Sequence, residues 1–123
     1  MTITEVSREY DTTPDTLRYY EKIGLIPRVN RNRSGIRDYT EDDCRWVEFI
    51  KCMRSAGLPI EALKEYVDLF LKGDDTIAER KELLIDQRRK LQLKIKDMNA
   101  TLERLNNKID KYDSLTKCER NLK

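Results

Sequence analysis

The sequence predicts a mainly α-helical chain: a helix-turn-helix module carrying an arginine-loaded hairpin, followed by one long coiled-coil helix. Three observations carry this expectation. Two short helix patterns with their own start and stop signals occupy the first 24 residues. Residues 25–39 are crowded with turn formers, and residues 76–112 contain neither proline nor glycine while keeping an apolar heptad.

The elements follow in order. Ile3 to Glu9 places Ile3 and Val6 on one helical face, a short first helix. After the turn Tyr10-Asp11-Thr12, Thr13 is an N-cap, Pro14 the first helical position and Asp15 a first-turn acid, with Gly24 as the stop. In Leu25 to Tyr39, Pro27, Asn30, Asn32 and Ser34-Gly35 separate two short apolar runs, which predicts a small two-stranded hairpin. Thr40 with Asp43 reads as a capping box that opens a third helix ending at Gly57, and Pro59 starts a fourth that Gly73 stops. Thr76 is expected to cap the long helix, on the order of 55 Å to Tyr112. The domains expected are thus residues 1–72, a linker at 73–75, the coil at 76–112 and a C-terminal tail at 113–123.

Along that helix, position d falls on Ile77, Leu84, Leu91, Met98, Leu105 and Tyr112, and position a on Lys81, Arg88, Ile95, Leu102 and Ile109. A lone helix cannot bury such a seam, so a homodimer is expected. In a parallel pair Lys81 and Arg88 would each stack on their own copies, which is costly in a core. An antiparallel pair avoids this.

Composition limits the functions. Hydrophobic residues make up 38% against 39% charged, too polar for one large core. No signal-peptide pattern or run of transmembrane length is present, so a cytoplasmic protein without a membrane partner is expected. The three cysteines have no framework spacing, and there is no histidine, which removes the commonest general base and metal ligand together. No cofactor and no enzyme activity are expected. The net charge of +2 says little, but from Thr16 to Arg37 six bases stand against one acid, Glu21. That stripe is the electrostatic footprint of phosphate contacts.

On the second helix, Leu17 and Tyr20 share the inward side, while Arg18, Tyr19 and Lys22 face outward as donors suited to phosphate oxygens. For Tyr20 a core role is the stronger reading. The run LRYYEKIGLIPR, the element SGIRDY and a capped helix carrying Trp46 together resemble the DNA-binding domain of the mercury-resistance-regulator (MerR) family of bacterial transcription factors. The resemblance covers residues 1–72, and the long helix is similar to the family's dimerisation coil.

The resemblance implies a winged helix-turn-helix whose second helix enters the major groove and whose hairpin grips the backbone. It implies binding of double-stranded promoter DNA as an antiparallel dimer, and activation by bending and untwisting an over-long promoter spacer for RNA polymerase. By position, the implied contacts are Arg18 and Tyr19 from the helix, with Tyr20 beside them, and Arg33, Arg37 and Tyr39 from the wing. Thr16, Lys22 and Arg28 complete the candidate interface. Ile36 departs from the usual aromatic, and Pro59 from the usual serine cap.

The cysteines remain to be assigned. One protomer offers no convincing soft-metal site, which needs at least two thiolates or a thiolate and an imidazole. FIKCMRSAGL and GLPIEALKEY are similar to segments of the family's aldehyde- and thiol-stress-responsive regulators, which implies that Cys52 is a sensor thiol. On a helical wheel Trp46, Phe49, Ile50, Met53 and Ala56 form the apolar face, with Cys52 on its flank and Cys44 nearly opposite as an exposed bystander. Glu48 and the helix C-terminus both oppose thiolate formation at Cys52. Buried filler is the alternative, and a metal or disulfide input through Cys52 and Cys118 across the dimer is another.

Overall fold

A computed structural model describes the backbone of residues 1–122 and the side chains of residues 1–116. The order is α1 (Ile3–Glu9), α2 (Pro14–Ile23), α3 (Glu41–Ser55), α4 (Ile60–Lys72), a 3-10 turn (Asp74–Thr76) and α5 (Ile77–Leu122). The chain divides into a unit Met1–Ile85 and the remainder of α5 from Asp86 onward.

Three of the first four helices start where a side chain satisfies an orphan backbone donor. Thr2 and Glu5 form a reciprocal box at α1, with the Glu5 N–H donating to Thr2 Oγ1 at 3.2 Å. Thr13 Oγ1 accepts the Thr16 N–H at 3.1 Å, and Thr40 and Asp43 complete the expected box at α3 with bonds of 2.9 and 3.2 Å. Gly24, at φ 81°, closes α2 in the left-handed region, and the Leu25 N–H turns back to the Tyr20 carbonyl. Asp11, at φ 50°, makes the tight turn between α1 and α2, a conformation that Asp tolerates better than most residues.

The core of the first unit gathers Val6, Leu17, Leu25, Val29, Val47 and Ile50, all at most 1% exposed. Against it packs an aromatic group from α3 and α4, with Trp46 and Phe70 centroids 5.0 Å apart and Phe49 and Tyr66 at 5.7 Å. The Arg80 guanidinium lies 5.4 Å from the Phe70 ring, so a cation–aromatic contact links α4 to the start of α5.

Several expectations need correction. The hairpin is not two-stranded: it carries one antiparallel bridge, Arg31 to Arg37, and among the described residues no strand extends the pairing. Its turn is built instead by the Asn32 side chain, whose Oδ1 accepts the N–H groups of Ser34 and Ile36. Pro59 is the N-cap of α4 rather than its first helical residue. Thr76 does not cap α5 as an acceptor. Its hydroxyl is buried and donates to the carbonyls of Leu69 and Gly73, ending the preceding turn. The helix also continues past Tyr112 to Leu122, within the stretch expected as a tail.

The inward face of α3 lies about 100° round the helix from the expected one. Its buried residues are Cys44, Val47 and Ile50, so Trp46, Phe49 and Met53 are flank positions and Ala56 is exposed. Cys44 therefore faces the core.

Candidate nucleic-acid interface

The cap at Thr13 fixes the start of α2, and burial of Leu17 fixes its rotation. With Leu17 inward, Arg18, Tyr19 and Lys22 are carried to the exposed side and Thr16 to its border. Arg18 Nη1 donates to Asp15 Oδ1 at 2.9 Å, an exposed pair that contributes little and is readily exchanged for another anion. Tyr20 is half-buried against the core, where burial raises its phenol above the ordinary value and Arg54 partly offsets this.

From Gly24 the chain runs through buried Leu25, Ile26 and Val29 into the wing, which exposes Arg28, Arg31, Arg33 and Ile36. Arg31 Nη1 donates to the Gly35 carbonyl at 2.8 Å, stiffening the turn that carries Arg33. The base of the wing is held by the Tyr39 N–H, which donates to the Met1 carbonyl at 2.8 Å.

Arg18, Lys22, Arg28 and Arg37, with Glu21, line one open cleft between α2 and the wing. Four cations against one carboxylate leave a net positive seat on the surface where the stripe was expected. Arg37 is different from the other three, because its side chain is only 22% exposed and its Nε donates to Glu21 Oε1 at 2.7 Å. Glu21 was passed over by the sequence reading except as the lone acid of the stripe, and that isolation was the available signal.

Tyr39 is not a surface contact of the wing. It is 2% exposed and belongs to the core, with a hydroxyl that has no protein partner among the described residues. Its phenol is pushed up by burial, with Arg37 and Arg18 acting in the opposite sense.

Comparison with known proteins identifies the family. The profile described as MerR HTH family regulatory protein matches residues 1–69, and that described as MerR, DNA binding matches residues 44–108. The chain belongs to the MerR family of DNA-binding transcriptional regulators.

Among MerR relatives, the HTH-type transcriptional regulator AdhR of Bacillus subtilis is 57% identical over 91 residues, covering 74% of this chain and 65% of that regulator. A MerR-family structure from Listeria monocytogenes superposes with a TM-score of 0.97 at 46% identity, covering 99% of this chain and 93% of the other. HiNmlR, a MerR family regulator lacking the sensor domain and bound to promoter DNA, gives 0.83 at 29% identity, covering 92% and 90%. These relatives are transcriptional regulators and not enzymes.

The two described thiols of α3 differ in exposure. Cys52 is exposed near the end of α3, whereas Cys44 is 5% exposed with its Sγ 3.9 Å from Met1 Sδ. Burial pushes the Cys44 thiol above its ordinary value, partly offset by a hydrogen bond with Tyr10. Neither basic neighbour of Cys52 is idle: Lys51 donates to the Tyr10 carbonyl, and Arg54 Nη1 to the Leu58 carbonyl at 2.7 Å. Cys118 lies outside the residues whose side chains are described, and among the described residues no group of three or more His, Cys, Asp or Glu side chains is placed to hold a metal ion. Among the described residues no helix is long and apolar enough to cross a membrane.

On α5, Ile77, Ile95, Met98, Leu102, Leu105, Ile109 and Tyr112 are all exposed, and Leu84 and Leu91 are partly buried. From Ile95 onward these residues form a seam of alternating three- and four-residue steps.

Proposed function

We propose that this chain binds promoter DNA as a homodimer and changes promoter output when an electrophile adds to Cys52. In this reading α2 enters the major groove with Thr16, Arg18 and Tyr19, while Lys22, Arg28, Arg33 and Arg37 neutralise phosphates. The seam from Ile95 to Tyr112 joins two copies in antiparallel register, which keeps Lys81 and Arg88 from facing their own copies. Distortion of the promoter spacer for RNA polymerase follows as the mode of activation.

The observation that carries the input is the contrast between the two described thiols of α3, Cys52 being open to solvent and Cys44 closed. With an aldehyde, the Cys52 sulfur adds to the carbonyl carbon. The π pair moves to oxygen, which takes up the thiol's proton, and a hemithioacetal results with no net oxidation. The likeness of the surrounding segment to aldehyde- and thiol-stress-responsive regulators supports the same choice.

The decisive experiment compares Cys52→Ser and Cys44→Ser in a reporter carrying the protein's own promoter, with formaldehyde and methylglyoxal as inducers. Cys52→Ser is expected to bind the promoter like wild type and to lose induction, and Cys44→Ser to keep it. Full induction in Cys52→Ser would end the sensor assignment. Mass spectrometry of the native protein after a short exposure to iodoacetamide should show Cys52 labelled well before Cys44.

A further inference from the structure

We infer that Glu21 is the positioning residue of this DNA interface: its carboxylate arms Arg37 and ties the wing to the recognition helix. The inference rests on the reading that α2 and the wing hold DNA. Glu21 is the one acid within the basic stripe, so its charge alone opposes binding at that place.

Both carboxylate oxygens are committed. Oε2 accepts the backbone N–H of Val29 at 3.2 Å, on the segment leading into the wing, and Oε1 accepts Nε–H of Arg37 at 2.7 Å, on the segment returning from it. Among the hydrogen bonds of the described residues, these two are the ones that tie a side chain of α2 to residues 28–39. The tie is shielded, with the Glu21 side chain 13% exposed. It grips a wing whose other ties include one bridge, the turn supported by Asn32 and Arg31, and the bond from Tyr39 to Met1 at its base.

Because Glu21 takes Arg37 by Nε, Nη1 and Nη2 remain as a fork for a phosphate oxygen. The fork is held in the same cleft as Arg18, Lys22 and Arg28. A guanidinium already fixed by a carboxylate loses less freedom when DNA arrives than an unrestrained one.

Glu21→Gln separates charge from geometry. The amide has one acceptor oxygen, so in either orientation its NH2 faces one of the two donors, the Val29 N–H or the Arg37 Nε–H, and the double tie is broken. Charge alone predicts tighter DNA binding by this variant. Positioning predicts the opposite: roughly tenfold weaker binding to a promoter duplex by fluorescence anisotropy, with the salt slope of log K reduced by about one. Arg37→Ala should weaken binding at least as much, and the double variant should be no weaker than Arg37→Ala alone, because both changes remove one contact.

Wild-type or tighter binding by a folded Glu21→Gln, beside a weakened Arg37→Ala, overturns the positioning role and leaves the interface standing. Wild-type binding by both Arg37→Ala and Arg18→Ala overturns the interface and this inference together. If Glu21→Gln melts early, Arg37→Lys serves instead, since it keeps the charge without the side-on fork. It should bind about tenfold more weakly than wild type; equal binding overturns the inference.

Discussion

The two units of the chain treat their apolar residues in opposite ways. In Met1–Ile85, Leu17, Leu25, Val47, Ile50 and Leu63 are 0–1% exposed, whereas beyond Asp86, Ile95, Met98, Leu102, Leu105, Ile109 and Tyr112 are 49–71% exposed. The first unit meets its burial requirement within one chain. The second presents the same residue types exposed along a single helix, and in the proposed dimer a partner's helix covers them. In the proposed reading the contrast assigns separate tasks: the first unit holds the DNA-reading geometry, and the second sets how many copies read together.

Core truncation tests the first half of that contrast most severely. Leu17→Ala removes a fully buried side chain from α2 and should lower unfolding stability by about 2–5 kcal/mol, seen as an earlier urea midpoint. Leu105→Ala, at a 56% exposed position, should leave the melting of the first unit nearly unchanged. Comparable losses in both would erase the distinction.

A charge in the seam tests the second half. Leu105→Lys should raise the dimer dissociation constant about a hundredfold, roughly 2.7 kcal/mol, by sedimentation equilibrium. Promoter affinity should fall with it, because two half-sites are no longer bound as one unit. Sedimentation as a wild-type dimer would mean that the seam is not the interface.

At the DNA surface the effect is smaller and selective. Arg18→Ala should weaken promoter binding about tenfold, 1.4 kcal/mol, and reduce the salt slope by about one. Its melting should match wild type, since the Arg18–Asp15 pair is exposed.

These positions also show what was legible in the sequence. Helix starts at Thr13 and Thr40 depend on partners three residues away, so local patterns were sufficient; the same holds for the exposed seam of α5. Tyr39, Cys44 and Thr76 were misread because their surroundings come from distant segments. Tyr39 and Cys44 are enclosed by a core that also includes Val6, Leu17 and Leu63. For Thr76 the deciding acceptor is the Leu69 carbonyl, seven residues back. The tie through Glu21 spans 16 residues to Arg37, and the sequence offered for it only a single acid among bases.

Cys44 supplies the finest test of the closed unit, through pH. Burial raises its thiol pKa, the largest cause, while the Tyr10 hydrogen bond lowers it. The folded chain therefore keeps the proton at a pH where the unfolded chain has released it. Stability from this group is full below the ordinary thiol pKa and is lost as pH rises through the folded value, because there the unfolded state binds fewer protons. Tyr10, Tyr20 and Tyr39, also raised mainly by burial, extend the decline to higher pH in the same direction. Urea midpoints measured between about pH 8 and 10 should fall for wild type, and fall less for Cys44→Ala, whose starting stability is lower but whose folded state holds no buried thiol proton. Equal slopes in the two proteins would show that Cys44 is as open to water as Cys52, and the contrast between the thiols on α3 would go with it.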